Sequence, residues 1–393
     1  MTENELAGRG KRLFSLDLLR GMDMFLLTVV APFMYAIDGV YALPPAVLDQ
    51  FQHPWEGFTL YDIIMPLFLF MSGAAVPFSL EKRLAKSGGR PDAAYWKHVA
   101  WRLVMLWGLG LVVQGRLLDF DLDTLRLFDN TLEAIAVGFA AMSLLVLVKS
   151  MKVKSAIVAT AFVVYGLLLH FLGDYSLNGN FAAFVEQKIL LAITPAASET
   201  AREIAATGIP ADSSGFSEEL LARGGEVHYT WYLTSLMFFF NVAAGYFATK
   251  ILLATADRVR NCRRLFLYGL ALLALGWLLA FGGVKMVKHI YTVSFTAQAV
   301  GWSALALAAL YYLTDIRSWR KGTQLFLLFG RTSLVCYMAG ECFWGTYLHL
   351  GGFLTHGLYH AFEPSVHKLY ATLAGFVLLY FTLRLREMIG RKS

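Results

Sequence analysis

The sequence predicts an all-α fold, a polytopic transmembrane helical bundle of about ten spans with both termini in the cytoplasm. Three observations predict it. Apolar residues make up 57% of the 393 and charged residues only 16%, with a mean hydropathy of +0.55, which leaves too little polar surface to wrap a soluble globule of this size. The apolar residues fall in repeated runs of about 20, enough to cross ~30 Å of hydrocarbon at ~1.5 Å rise per residue. The 34 Lys and Arg concentrate in alternate loops between those runs, the pattern that orients membrane helices.

The candidate spans are 16–37, 60–80, 98–118, 131–149, 154–172, 229–249, 264–283, 290–313, 324–348 and 366–386. The first run holds Asp17, Arg20 and Asp23 and is followed by no clean small-residue cleavage site, so it is expected to stay as a helix and not to be removed as a signal peptide. With the amino terminus inside, cytoplasmic segments receive the basic groups Arg9 to Arg12, Lys82 to Arg102, Lys149 to Lys154, Lys250 to Arg264, Arg317 to Lys321 and Arg384 to Lys392. Outer segments receive Arg116, Arg126, Lys188, Arg202, Arg223, Lys285 and Lys288. A missed or extra span would scramble this bias. The net charge of +6 is therefore a topology signal and not the basic face of a nucleic-acid binder.

Residues 1–393 are expected to form one domain in a lipid bilayer, with a single long extracytoplasmic loop at about 173–228. Within it, Phe181 to Ala197 is apolar but carries Glu186, Lys188 and Pro195, the make-up of an interfacial or re-entrant helix. Cys262, Cys336 and Cys342 offer no paired extracytoplasmic cysteines, so no disulfide is expected. Assembly as a homodimer is left open.

Ionisable groups inside spans are costly and default to pairing or function. Asp17 and Arg20 lie three apart in Leu16-Asp17-Leu18-Leu19-Arg20-Gly21, on one helical face, either as a structural ion pair or with Arg20 set to meet an anionic group. The densest constellation is His53-Pro54-Trp55-Glu56-Gly57-Phe58-Thr59-Leu60-Tyr61-Asp62, followed by Pro66, Phe68, Phe70 and Gly73. Pro54 and Gly57 set a turn, Thr59 is placed to cap the next helix and Asp62 sits in its first turn. His53 suits proton transfer, Glu56 or Asp62 could orient it, and Trp55 could stack on a sugar. Glu133, Glu341 and Arg331 are expected to pair between helices. His356 and His360 have i, i+4 spacing, but no ligand set surrounds them in sequence, so no metal site is expected.

The segment Arg12-Leu13-Phe14-Ser15-Leu16-Asp17-Leu18-Leu19-Arg20-Gly21, together with the His53 to Gly73 motif, resembles the heparan-α-glucosaminide N-acetyltransferase family and its bacterial relatives. Weaker echoes follow in order at Asn130 to Ala136, Tyr229 to Trp231, Gly245-Tyr246, Lys288 to Phe295 and Phe329 to Leu334. The resemblance implies a transmembrane acyltransferase that takes acetyl from cytoplasmic acetyl-CoA and passes it to an amine or hydroxyl of a sugar or glycan on the other face. It also implies a bacterial inner membrane as the location and His53 as the catalytic residue. The chain departs from the family in two places: only Pro54 separates His53 from Trp55, and Val30-Ala31-Pro32-Phe33 stands where many relatives carry an Asn. His53 is expected as base or transient acetyl carrier, oriented by Glu56 or Asp62, with Trp55 beside the acceptor and Arg20 and Asp17 on the donor side. A transporter of a small solute or lipid-linked sugar, or a relative that has lost its chemistry, are the rival expectations.

Overall fold

The computed structural model describes residues 13–115, 117, 127–177, 179–193 and 229–392, and among them there is no strand. The longer helices are α1 (Phe14–Tyr41), α2 (Tyr61–Lys86), α3 (Ala93–Val113), α4 (Thr131–Leu145), α5 (Met151–Leu172), α6 (Phe181–Ile193), α7 (Ser235–Leu252), α8 (Arg258–Phe281), α9 (Val293–Ile316), α10 (Gln324–Arg331), α11 (Ser333–Thr355) and α12 (Pro364–Lys392). Several starts are set by local chemistry. The side chains of Asp92, Asn130, Ser150, Asp257 and Thr292 accept the first free N–H groups of α3, α4, α5, α8 and α9, which otherwise have no partner within the helix.

Seven of these helices are long and apolar enough to cross a membrane, and α10 with α11, bent by 78° at their junction, make an eighth if the pair is one span. The chain is a multi-pass membrane protein on that ground. Each of the ten expected segments falls wholly or mainly on helix, but α4 is short at 15 residues and α3 is not among the seven. The expected helix from Phe181 is found as α6. Its Glu186 carboxylate accepts the backbone N–H groups of Trp231 and Tyr232 at 3.0 Å each, tying α6 to the approach to α7. Residues 194–228 lie outside the described ones.

Burial sorts the bundle into a centre and a rim. About 70% of the apolar window of α7, α9 and α2 is buried, against about 20% for α1, α5 and α8, whose Trp277, Leu278 and Phe281, for example, face outward from α8. The centre is held by backbone approach. A Cβ on Gly73 would lie 1.6 Å from the Val242 carbonyl oxygen, and one on Gly245 would lie 1.8 Å from that of Phe70, so a glycine on each of α2 and α7 lies directly against the other helix's backbone. This is the small-residue packing that replaces the hydrophobic drive inside lipid. Gly21 and Gly330 do the same for α1 and α10, fixing the turn that carries Asp17 and Arg20.

Candidate functional site

Two cavities of about 500 Å³ each enter the centre of the bundle, and they abut on shared lining residues. Along α2, Tyr61, Ile64 and Met65 line the first and Ser72 and Ala75 the second, while Phe68 lines both. Along α11 the order reverses: Ser333 and Leu334 line the second, Glu341 the first, and Tyr337 both. The first cavity opens at the His53 end and the second at the Arg20 end. They share Phe68, Thr131 and Tyr337, and the rings of Phe68 and Tyr337 stand edge to face at 6.5 Å.

The His53 end is built by the turn before α2. Gly57 takes a φ of +131°, open to glycine but not to a side-chain residue, and its N–H donates to the Met286 carbonyl at 2.8 Å. Thr59 was expected to cap the helix; its hydroxyl instead donates to the Gln52 carbonyl at 3.0 Å, and the buried Asp62 carboxylate reaches back to the Thr59 N–H at 3.0 Å. The capping therefore runs from the acid to the threonine, because a carboxylate in the first turn has the longer reach and the stronger acceptor.

Asp62 also faces His53, with Oδ1 2.7 Å from Nδ1. An ionised carboxylate only accepts, so Nδ1 carries a proton directed at Asp62. Lys288 Nζ lies 3.1 Å from Nε2, 3.0 Å from Nδ1 and 3.4 Å from the same Asp62 oxygen. Its side chain is only 6% exposed, and burial pushes the ammonium down to about 8, with Asp62 holding it up. Lys288 is delivered by a tight turn in which Tyr291 adopts a φ of +44°, unusual for a bulky residue and often tied to function. The turn is closed by N–H bonds from Tyr291 to the Lys288 carbonyl and from Thr292 to the Val287 carbonyl.

Aromatic rings surround this triad. Tyr61 stacks on His53 at 5.1 Å, Trp55 stacks on His289 at 5.1 Å, and Tyr229 lies 4.5 Å from His289. Trp55, expected beside an acceptor, thus has one ring face on His289 and donates its indole N–H to the Tyr175 carbonyl at 2.9 Å. Glu56 does not orient His53: it is half exposed and pairs with Lys285 at 2.9 Å. The carboxylates that line the cavity are instead Asp129 and Glu341, and Asp129 accepts the Trp231 indole N–H at 2.9 Å.

At the Arg20 end, Arg20 keeps its expected partner Asp17 at 3.3 Å and lines the cavity with Arg102 and His98. Arg102 lies over the Phe139 ring at 4.2 Å and donates to the Ser72 hydroxyl at 3.3 Å. Nε2 of His98 is buried with no hydrogen-bond partner among the described residues. Arg331 pairs with Glu387 of α12 at 3.1 Å and not with Glu133 or Glu341. Glu133 instead accepts the N–H of Asp129, just before its own helix, at 2.6 Å and an amide proton of Gln114, at the end of the neighbouring α3, at 3.2 Å.

Compared with known proteins, the chain matches no family model and no curated protein. The geometry alone therefore carries the functional argument. Sequence reasoning gave no site role to Lys288, which stood as one outer cation among seven and as the first residue of a weak family echo, or to Arg102, which stood as a topology charge. The signal for Lys288 was its place against the start of an apolar run. For Arg102 there was none beyond its lying inside a span.

Proposed function

We propose that this protein is a membrane-embedded acyltransferase that moves acetyl from cytoplasmic acetyl-CoA to an amine or hydroxyl of a sugar or glycan on the opposite face. The observation that carries this reading is the meeting of two chemically opposite cavities at one constriction. The Arg20 end, with two arginines and a histidine nitrogen that has no hydrogen-bond partner among the described residues, suits the phosphates of CoA. The aromatic constriction suits a thin pantetheine arm. The His53 end, with carboxylates and rings, suits a sugar. In this reading the full set of about ten spans crosses the bilayer with both termini inside, in the inner membrane of a bacterium, and the resemblance of the His53 to Gly73 motif points the same way.

In the reaction the acceptor nitrogen or oxygen attacks the thioester carbonyl. His53 Nε2 takes the acceptor proton, the new C–N or C–O bond forms, the C–S bond breaks, and sulfur leaves as thiolate. Asp62 fixes the tautomer that leaves Nε2 basic. Lys288, which lies against the imidazole at rest within about 3 Å of both ring nitrogens, moves to the carbonyl oxygen as negative charge develops there and stabilises the oxyanion. An acetyl-His53 intermediate is the alternative route and would give ping-pong kinetics.

Paired cavities that meet at two rings also suit a transporter, so the test separates the two. Purified protein is given radiolabelled acetyl-CoA and a panel of amino sugars. Label is expected on an acceptor, and His53→Ala is expected to lower transfer by about 10²–10⁴-fold. Full activity in that variant removes His53 from the chemistry; no acetyl-CoA binding, with flux of an unmodified sugar into proteoliposomes, replaces the proposal with transport.

A further inference from the structure

Asp23, in the middle of α1, is 2% exposed, and neither carboxyl oxygen has a hydrogen-bond partner among the described residues. Such orphaned acids are rare, because nearly every buried polar group in a protein is paired, and an ionised carboxylate stranded in hydrocarbon costs several kcal/mol. Its nearest charged neighbour on the helix, Arg20, is engaged by Asp17.

Its position gives the orphan a use. On α1, Arg20 lines the Arg20-end cavity and Leu27 the His53-end cavity. Asp23 lies one turn from each of these two residues on the same helix and is not itself among the lining residues of either cavity. Three residues further on, α1 departs from α-geometry into a π-turn over Leu26–Val30, a feature that recurs at functional sites. A metal ion would need several ligands, and no three His, Cys, Asp or Glu come together among the described residues. A neutral carboxylic acid needs no counter-ion, and it both gives and takes a proton.

We propose that Asp23 is a proton-carrying site in the membrane interior, passing protons between the His53-end and Arg20-end cavities at their constriction. The site stands on burial and placement alone; its purpose rests on the acyl-transfer reading. When an ammonium acceptor is acetylated, its nitrogen loses two protons, one C–N bond forms and one C–S bond breaks. One proton belongs on the departing thiolate, whose sulfur leaves the reacting carbonyl with CoA toward the Arg20 end, and the other leaves to solvent. Asp23 gives the first a route: it releases its own proton toward the sulfur and is reloaded from the His53 side.

The test is infrared difference spectroscopy of the full chain in lipid, wild type against Asp23→Asn and Asp23→Glu. The wild type is expected to show the carbonyl stretch of a protonated carboxylic acid, shifted down in D₂O because the site exchanges with the cavities. Asp23→Asn should lose that band and Asp23→Glu should keep it at a displaced frequency. A wild-type minus Asn difference containing only carboxylate bands overturns the proposal, and so does a protonated-acid band that does not move in D₂O, which marks a sealed acid. Because no arm requires turnover, an exchanging band in a protein that transfers no acetyl leaves the proton site standing and removes only the acyltransferase reading.

Discussion

The pair Asp62 and Lys288 permits a prediction whose size follows from the structure. Their side chains are 1% and 6% exposed and their charges lie 3.4 Å apart. At an effective dielectric of about 20, unit charges at that distance attract by about 5 kcal/mol. Desolvation offsets much of this, so the intact pair adds little, but removing one partner strands the other and costs about 3–5 kcal/mol. Asp62→Asn keeps the volume, leaves Lys288 as an uncompensated buried cation, and is expected to lower the unfolding free energy by about 3 kcal/mol. Lys288→Met is milder, about 2 kcal/mol, because Asp62 retains His53 and the Thr59 N–H. In the double variant the stranded cation is gone, so the loss should fall short of the two singles combined by about 2 kcal/mol. Denaturant unfolding in detergent, followed by fluorescence, measures all four corners of the cycle. Additivity within about 0.5 kcal/mol would refute the idea that these residues form one electrostatic unit.

The same lysine confers a pH dependence of known sign. Its ammonium titrates near 8 in the folded chain against 10.5 for an ordinary lysine, so between those values the unfolded chain binds the extra proton and stability from this group rises with pH. The slope is at most about 1.4 kcal/mol per pH unit, flat below the window, and the difference between wild type and Lys288→Met in unfolding between pH 7.5 and 9.5 should show it; parallel curves would contradict it. For packing, Gly73→Ala places a methyl 1.6 Å from the Val242 carbonyl oxygen and should cost about 3 kcal/mol, the upper end for overpacking. Gly108→Ala, with nothing within 4 Å, should stay within about 0.5 kcal/mol. Equal melting temperatures for the two variants would show that α2 and α7 do not pack as described.

The helical class and the membrane environment were legible in the sequence because both are one-dimensional. A run of apolar residues long enough for the bilayer must satisfy its own backbone by forming helix. The Asp17–Arg20 pair was legible for the same reason, since three residues apart on a helix is a neighbour relation that needs no tertiary contact. The turn at Gly57 was readable too, from a residue type that tolerates the backbone there. Spacing could not choose between Glu56 and Asp62, and the structure puts Asp62 on His53 because Glu56 projects outward to Lys285.

What only the tertiary structure decided is which distant residues share a site. Lys288 reaches His53 across 235 positions of chain, and the two cavities abut because α2 and α11 run in opposite directions past the shared Phe68 and Tyr337. Asp23 was visible as an acid in a span, but that its carboxyl oxygens have no hydrogen-bond partner among the described residues emerges only from the tertiary structure. Local sequence fixes the backbone path of each helix through hydrogen bonds within a few residues. Which faces meet is settled by close packing at Gly73, Gly245, Gly21 and Gly330, and that is a property of pairs of helices and not of either one alone.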